Sequence, residues 1–328
     1  MKDDSIMKNY EFKLRPFKEE DYSGVVTLGN ILFPDHPMSE NSLRYNDKIR
    51  EKKIRYQRSV WEKDNQIKAI VSYSNSSYVY HPQVFDISIR VHPDFQSKGY
   101  GKIAYSYLVK QLEKFDPIKL FSYAHEPDNR AVRFLEDRGF KIKNREKESS
   151  LNLLKYNPDN FSSAINRVIE NNIRIINLKE FRVEEQNADM KIWEFDSLVS
   201  PDMPFSEPIK VPKFGVYCKQ TFEHPSFNPE SWFIALDRKK IIGLSNLWKR
   251  KESKGINTGF SGVHKDYRCM GVASSLKHTG LKWAKDKQYP WIRTDNDSTN
   301  KGMLGINIKA GFKPMPSWLF MVKVIKKS

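Results

Sequence analysis

The chain has 328 residues, 39% of them hydrophobic, and a net charge of +16, so it is long enough for two domains. No apolar run reaches the roughly 20 residues that a membrane-spanning helix needs, and the charged N-terminus MKDDSIMKNY lacks the apolar stretch of a secretion signal. Two cysteines are too few for a disulfide framework or a cysteine-based zinc site. We therefore expect a cytoplasmic protein without a metal site or a membrane partner.

Strand-like and helical patterns alternate along the first half of the chain. Apolar residues at every second position indicate strands, and apolar residues three or four positions apart indicate helices. A hairpin is predicted through VWEKDNQIKAIVSYSN, with Asn65 and Gln66 near its turn. The other predicted elements are a strand over 11–17, helices over 19–33 and 41–58, a strand over 84–91, a helix over 102–115, a strand over 119–125, a helix closed by Gly139 and a strand-like tail to residue 156.

Two copies of one pattern follow each other along the chain. VHPDFQSKGYG at 91–101 aligns with VHKDYRCMGVA at 263–273, an offset of 172 (263 − 91), and PDHPMSE at 34–40 returns as PDMPFSE at 201–207. Several matches in one order predict a tandem duplication. The predicted divisions are an N-terminal domain over 1–158, a helical connector over 159–172 and a C-terminal domain over 173–328.

In each copy an apolar strand leads into a glycine-containing loop that opens a long helix. Such a junction leaves several backbone N–H groups unpaired, and the helix dipole adds partial positive charge, so a phosphate group is favoured there. Gly99 and Gly271 allow the turn without a Cβ clash, and the small residues Gly101 and Ala273 let a diphosphate approach the helix. The loops lack the G-x-x-x-x-G-K-[ST] motif of nucleoside triphosphatases and the G-x-G-x-x-G fingerprint of dinucleotide-binding folds.

These motifs resemble those of the GNAT superfamily of N-acetyltransferases. In both copies [FY]-[QR]-x-x-G-x-[GA] is followed by an asparagine and then by Gly-Phe, at 139–140 and 311–312. The second copy is also similar to a subgroup that includes mycothiol synthase, through A-x-x-L-K, W-A, T-x-N and N-x-x-M-L-x-I-N. The resemblance implies an α/β (α+β) fold of two tandem domains. Each would be a mixed, mostly antiparallel sheet, splayed at the cofactor strand and flanked by helices.

The resemblance implies acetyl-CoA as the cofactor, bound in the gap of each splayed sheet. The pyrophosphate would lie on the loop backbone, the strand before the loop would flank the pantetheine arm, and the asparagine would hydrogen bond that arm. The implied cofactor-binding residues of the first copy are Ile89, Arg90, Val91, Gln96, Ser97, Lys98, Gly99, Tyr100, Gly101, Lys102 and Asn129. Those of the second copy are Ser261, Gly262, Val263, Arg268, Cys269, Met270, Gly271, Val272, Ala273, Ser274 and Asn300.

The catalytic groups are not fixed by the motifs. In many family members a tyrosine four residues before Gly-Phe acts as the general acid that protonates the leaving thiolate. This chain has Leu135 and Asn307 at that position, so the sequence does not identify the general acid. Asp86 and Asp295 are candidate bases and Asn307 is a candidate at the acid position, with a solvated or structural role as the alternative for each. Packing or loop-filling roles are predicted for His92, His264 and Cys269.

We expect an acyl-CoA N-acyltransferase that moves an acetyl group from acetyl-CoA to a primary amine of a small molecule by direct attack. The C-terminal copy is the predicted site of chemistry, because it carries the subgroup pattern and an aromatic segment over 200–232 that would wall an acceptor pocket or else belong to the core. The alternatives are a non-catalytic acyl-CoA-binding or regulatory module, and a basic nucleic-acid-binding protein. We do not expect a nucleic-acid partner, and we expect a monomer or a homodimer.

Overall fold

The computed structural model describes residues 12–76, 80–204, 209–249 and 252–326. Within these ranges the contacts divide the chain into two compact units. Unit 1 takes the residues up to Ala124, then Arg133–Ile142 and the residues from Phe320 on; unit 2 takes His125–Val132 and Lys143–Leu319. No helix in these ranges is long and apolar enough to cross a membrane.

Unit 1 is a sheet with helices on both of its faces. Its strands follow the order β1-β2-β3-β4-β5-β13. From β1 to β4 neighbouring strands pair antiparallel, and β4 pairs with β5 in parallel. Its elements are β1 (Arg15–Pro16), α1 (Tyr22–Leu32), α2 (Glu40–Lys48), β2 (Tyr56–Lys63), β3 (Gln66–Ser74), β4 (Val84–Val91), α3 (Tyr100–Leu112), β5 (Lys119–His125), the part of α4 (Asn129–Glu136) from Arg133 on, and β13 (Trp318–Val324) from Phe320 on.

The predicted helix over 41–58 is wrong in its second half. Helix α2 ends at Lys48, and the chain is already extended at Tyr56, where β2 begins. The hairpin partner decides this, because β2 pairs with β3 along its whole length and that pairing overrides the helical propensity of the Lys- and Arg-rich stretch before it. The turn uses Asp64 and Asn65, both with positive φ, as a two-residue hairpin turn of the primed type requires.

Unit 2 repeats this architecture. Its strands follow the order β6-β11-β10-β9-β8-β7, with β10 and β11 parallel. Its elements are β6 (Lys141–Asn152) from Lys143 on, α5 (Ser162–Glu170), β7 (Ile173–Asn177), α6 (Leu178–Glu184), α7 (Ala188–Val199), α8 (Phe214–Gln220), β8 (Trp232–Asp237), β9 (Lys240–Trp248), β10 (Ile256–Val263), α9 (Val272–Asp286), β11 (Trp291–Asp297), α10 (Lys301–Ala310) and β12 (Lys313–Pro314).

Each unit is completed by a strand from the other half of the sequence. In unit 1, β13 lies beside β5, and the rings of Phe121 and Phe320 are 5.0 Å apart. In unit 2, β6 pairs antiparallel with β11, with Leu151 opposite Ile292. A strand pattern does not identify its partner, so periodicity alone could not predict this exchange. The predicted boundaries at 158 and 172 remain a prediction about the duplication, and the compact units draw residues from both sides of them.

Apolar layers cover both faces of the unit 2 sheet. On one face α5 and α9 cover the sheet through an apolar layer that includes Phe161, Leu276 and Ile292. On the other face α6 and α7 cover the sheet over Trp232 and Leu244. The aromatic residues predicted either to wall a pocket or to belong to the core pack against this second layer, which favours the core interpretation for Phe222, Phe227 and Trp232. Tyr217 is also buried, Phe214 contacts Trp193, and Phe205 lies outside the described residues.

Candidate functional site

The sheet of unit 1 splits at the point where β4 leaves β5. The two strands pair in parallel as far as Asp86 and Phe121, and no further pair follows in the described residues. One residue further along, the Ser122 hydroxyl donates to the Ile87 carbonyl over 3.1 Å. We call this point the strand fork of unit 1. A gap that opens between two neighbouring strands leaves backbone groups and side chains accessible to a ligand.

Unit 2 contains the same strand fork. Strands β10 and β11 pair as far as Asn257 and Arg293, and then the Thr258 hydroxyl donates to the Thr294 hydroxyl over 2.6 Å. Thr294 stands 172 residues after Ser122, so both forks are closed by a hydroxyl at the same repeat position. The predicted pair of splayed, mostly antiparallel sheets is confirmed.

Strand β10 differs from β4 in carrying a bulge at the fork. Its pairing with β9 shifts register between Thr258 and Ser261, whereas β4 pairs with β3 without interruption. The Phe260 N–H that the bulge frees donates to the Asn246 side-chain oxygen over 3.0 Å, and the Trp248 indole donates to the same oxygen over 2.9 Å. A Cβ on Gly259 would lie 2.2 Å from that oxygen, so the bulge requires glycine there.

The two phosphate loops, loop 1 over 92–99 and loop 2 over 264–271, have the same backbone geometry. Ser97 and Cys269 have φ of +59° and +64°, and Gly99 and Gly271 have φ of +88° and +90°. Each glycine is the N-cap of the following helix, and neither helix start has a side-chain cap. The Lys102 and Ser275 N–H groups bond to the Gly99 and Gly271 carbonyls, but no loop side chain caps the N–H groups before them, as an anion site requires.

A side chain fastens each loop to the strand before it. In loop 1 the Gln96 amide donates to the Val91 carbonyl over 2.8 Å, and in loop 2 the Arg268 Nε donates to the Val263 carbonyl over 3.3 Å. Gln96 and Arg268 occupy the same repeat position. The motif predicts both residues, and in the structure both side chains hold their loop against the end of the preceding strand. Arg268 also binds Asp202 through its other nitrogen.

The paired histidines His92 and His264 make local contacts within their own loops. The Nδ1 atoms of His92 and His264 accept the backbone N–H of Asp94 and Asp266, at 3.3 Å in both copies. Each ring also contacts an aromatic ring of its own loop. These contacts agree with the packing role that the sequence predicts for both residues. Cys269 is exposed, and the structure gives it no contact that distinguishes a loop-filling role from another.

The buried polar atoms of unit 2 that have no hydrogen-bond partner among the described residues include Ser275 Oγ and Lys277 Nζ on α9 and Asn307 Oδ1 on α10. Burial lowers the pKa of Lys277 to about 8, and the Asp295 carboxylate opposes that shift. Unpaired buried polar groups are rare, and a ligand with its own polar groups is one explanation for them. With the uncapped helix start, they fit a cofactor that has a phosphate end and an amide-containing arm.

The remaining predicted cofactor residues lie at the forks or at helix starts. Ser261 shares a hydrogen bond of 2.8 Å with Ser245, and Val263 packs on the α9 face of the sheet. Asn300 caps α10 by accepting the Met303 N–H over 3.2 Å, and Asn129 is exposed in the part of α4 that belongs to unit 2. Their roles as cofactor ligands stay predictions. The positions of the others follow from their elements: Ile89, Arg90 and Val91 on β4, Lys98 in loop 1, Tyr100, Gly101 and Lys102 on α3, Gly262 on β10, Met270 in loop 2, and Val272, Ala273 and Ser274 on α9.

The three candidate catalytic residues have different surroundings. Asp86 is half-buried at the fork of unit 1, and burial raises its pKa to about 6. Asp295 is exposed on β11, directly opposite Glu148. Asn307 is buried, and its amide donates to the Asn296 side-chain oxygen over 2.6 Å, so it orients a neighbour rather than supplying a proton. These observations leave the catalytic assignments as predictions.

A further carboxylate, Glu146, was not predicted. It lies on β6 opposite Asp297, and the same antiparallel register places Glu148 opposite Asp295, so these four carboxylates share the sheet face that points away from α9. Burial, followed by Asp295 and Asp297, raises the pKa of Glu146 to about 7. No motif indicates Glu146, because only the exchanged strand β6 brings this residue of the first half beside the fork of the second.

The described residues contain no group of three or more His, Cys, Asp or Glu side chains that could hold a metal ion. The polar groups of the site include the backbone N–H groups of the loops, the carboxylates of β6 and β11, and the buried polar atoms of α9 and α10.

Comparison with known proteins gives a family match in both halves. The model of the Acetyltransferase (GNAT) family matches residues 25–140 and 193–306. No curated protein sequence matches the chain. The narrower resemblance of the second half to mycothiol synthase stays a prediction.

Three solved structures share the fold along nearly all of this chain. A tandem GNAT protein from the clavulanic acid biosynthesis pathway has a TM-score of 0.73 at 14% identity, over 97% of this chain and 100% of its own. A GCN5-related N-acetyltransferase from Sphaerobacter thermophilus has 0.70 at 15%, over 97% and 96%. A glucosamine N-acetyltransferase region of a fungal β-N-acetylglucosaminidase has 0.69 at 13%, over 95% and 38%. At these identities the likeness concerns the fold alone.

Proposed function

Because the chain belongs to the Acetyltransferase (GNAT) family, we propose that it transfers an acetyl group from acetyl-CoA to the primary amine of a small molecule in the cytoplasm. One observation carries the proposal. In each unit a strand fork stands directly before a positive-φ loop and an uncapped helix start, so a gap for an extended arm continues into a site for its phosphates.

The backbone of loop 1 with the start of α3, and of loop 2 with the start of α9, would hold the pyrophosphate. Acetyl-CoA supplies an activated acyl group, a thioester whose carbonyl carbon an amine attacks. In unit 2 we assign Lys277 Nζ and Asn307 Oδ1 to the arm, because neither atom has a hydrogen-bond partner in the described part of the chain and a polar arm would satisfy both.

We place the transfer in unit 2, where the carboxylates of β6 and β11 favour a cationic amine by charge. An amine attacks only in its neutral form, so a base must remove a proton from the ammonium group. Glu146 is the base we propose, because its pKa of about 7 lets it accept a proton near neutral pH, whereas an ordinary glutamate is too weak a base.

Asn307 stands where many family members have a tyrosine, and its amide cannot give up a proton at neutral pH. An acid on the protein is not essential for this step, because a thiol with a pKa of about 8.5 departs as the thiolate far more easily than an alcohol would. We therefore assign Asn307 to orientation, through its bond to Asn296. The Phe260 N–H of the bulge is already bonded to Asn246 and is not an oxyanion donor in this proposal.

The test is consumption of acetyl-CoA with a panel of small primary amines, for the native chain and for Glu146→Gln. Loss of a positioned base costs about 100- to 10,000-fold in kcat, and acetyl-CoA binding should not change. Glu170→Gln is the matched control, because Glu170 is exposed on α5 and forms no ion pair with the described residues. Full activity of Glu146→Gln would remove Glu146 from the proposal, and no turnover with any amine would favour an acyl-CoA-binding or regulatory module instead.

A further inference from the structure

One face of the unit 1 sheet carries a row of polar residues beside the fork. Residues that pair directly across strands point to the same face, and the register of β2, β3 and β4 defines which residues these are. Val60 and Ile70 of this face pack under α1, which identifies it as the α1 face. The cross-strand rows on it are Val60–Ile70–Arg90, Arg58–Ser72–Ser88 and Tyr56–Ser74–Asp86.

Arg90 is a half-buried cation that has no counter-ion among the described residues. Burial lowers the pKa of its guanidinium, and the nearby Arg58 lowers it further. In the same part of the chain its one polar contact is with the Met38 sulfur, 3.5 Å from Nη1, and its guanidinium lies 5.5 Å from the centre of the Phe33 ring. No carboxylate among the described residues pairs with it. A buried charge that lacks a partner is costly, so an arginine kept in this state points to an anion that binds there.

The neighbouring positions on the face offer more hydrogen-bonding groups. Ser72 and Ser88 lie directly opposite each other and are half-buried, and neither hydroxyl has a partner among the described residues. Arg58, by contrast, is fully engaged with Asp47, at 2.9 Å. The open groups are therefore Arg90 and the two serines, with Asp86 two residues beyond Ser88 at the fork.

The loop above Arg90 is held in place. The Met38 N–H donates to the Asn30 side-chain oxygen over 2.7 Å, and the Asn30 amide donates back to the Met38 carbonyl over 3.3 Å. Both bonds hold the Met38 backbone in place, and its side chain covers the Arg90 guanidinium. An apolar side chain at this position strengthens the attraction between a guanidinium and an anion, because it keeps water away from the pair.

The repeat shows that the fold does not require this polar surface. Strand pairing assigns Asn246, Phe260 and Gly262 of unit 2 to the positions of Ser72, Ser88 and Arg90, because the pair Val71–Ile89 corresponds to the pair Ser245–Ser261. The side-chain oxygen of the buried Asn246 is bonded to the Phe260 N–H and the Trp248 indole. Phe260 packs against the α7-side core, and Gly262 leaves room for the Phe260 ring. The two copies have therefore diverged at the same place, and unit 1 alone keeps charged and hydroxyl groups there.

We propose that unit 1 binds a small molecule that carries both a carboxylate and an amino group. Its carboxylate lies on the Arg90 guanidinium and accepts from Ser72 and Ser88, since a guanidinium matches a carboxylate with two parallel hydrogen bonds. Its amino group points along β4 toward Asp86. Four residues of a strand span roughly 13 Å between the Arg90 and Asp86 Cα atoms, so ligands of several carbon atoms fit between the two side chains.

The experiment is a binding series with the full chain. Glycine, β-alanine, 4-aminobutanoate and 6-aminohexanoate are titrated by calorimetry, with and without coenzyme A, next to alkylamines and alkyl carboxylates of the same lengths. We expect one or more of the amino acids to bind at least 10-fold more tightly than its matched amine and its matched carboxylate. Acetyl transfer is not measured, so the result is independent of the proposed activity.

Three substitutions identify the site. Arg90→Met should weaken the tightest amino acid roughly 10- to 100-fold, because hydrogen bonds to a charged group are lost. Ser88→Phe copies the residue of the other unit and should block the site, and it tests the same proposal if Arg90→Met folds poorly. Arg133→Met, which removes an exposed arginine of unit 1, should bind like the native chain. Absence of binding for the whole series, or native affinity in both Arg90→Met and Ser88→Phe, would overturn the proposal.

Discussion

The bulge in β10 gives a sharp prediction about a single methyl group. In Gly259→Ala the new Cβ would lie 2.2 Å from the Asn246 side-chain oxygen and 2.5 Å from the Trp248 indole. Real atoms do not approach so closely, so Asn246 must move. Asn246 is 2% exposed and holds the Phe260 N–H and the Trp248 indole, so its displacement leaves two donors without their acceptor.

The size of the effect follows from those two donors. A buried polar group left without a partner costs about 1–3 kcal/mol, so the substitution should lower the free energy of unfolding by about 2–6 kcal/mol. For a unit of 150–250 residues, each kcal/mol lowers Tm by about 2–4 °C. The expected fall in the Tm of unit 2 is therefore about 4–24 °C.

Thermal unfolding of four variants tests the reasoning: Gly259→Ala, Gly305→Ala, Asn246→Ala and the double variant of Asn246 and Gly259. Gly305→Ala is the matched control, because a Cβ there meets no atom within 4 Å and alanine favours the helix α10, so its Tm should equal or exceed that of the native chain. Asn246→Ala removes the clashing oxygen and also the acceptor that holds the Trp248 indole beside Gly259, so the indole can shift and adding Gly259→Ala should then cost less than it does in the native background. A native Tm for Gly259→Ala, or an undiminished cost beside Asn246→Ala, would refute the proposed contact.

Four further outcomes are expected. Removal of residues 320–328 should unfold unit 1, and Met321→Ala, at a fully buried position of β13, should cost about 2–5 kcal/mol in urea denaturation. Acetyl transfer should rise with pH through about 7 as Glu146 loses its proton, and Glu146→Gln should abolish that rise in kcat. The pKa of Lys277 in the folded chain, about 8, lies below the ordinary value of about 10.4, so the free energy of unfolding should increase from pH 8 to 10, and Lys277→Met should lack the increase. Gly99→Val and Gly271→Val, at φ of +88° and +90°, should each weaken acetyl-CoA binding at their own loop roughly 10-fold or more, by calorimetry.

Local patterns predicted the elements well where local forces decide them. The apolar alternation of 84–91 became β4 with the same bounds, and the strand over 119–125 likewise became β5. The two loops were predicted because a glycine in the left-handed region and a small residue at a helix start are needed wherever this turn is built, and both copies have them. The family model and the fold confirm the tandem GNAT interpretation that rested on these loops.

Features that depend on contacts distant in sequence could not be predicted in the same way. The end of α2 at Lys48 is set by the β2–β3 pairing, and Glu146 comes to the fork of unit 2 only because β6 pairs with β11. The polar face around Arg90 follows from strand register, which a single sequence does not define. Asn246 carried no recognisable motif, since its role is to accept the one N–H that the bulge in β10 frees.

Calorimetric titration with acetyl-CoA tests the central claim most directly, because it reports affinity and stoichiometry together. We predict micromolar binding with a stoichiometry of two. Either Gly99→Val or Gly271→Val should weaken one of the two sites, and the double variant should weaken both. No binding at millimolar acetyl-CoA would contradict the claim that the two loops and the strand forks behind them hold this cofactor.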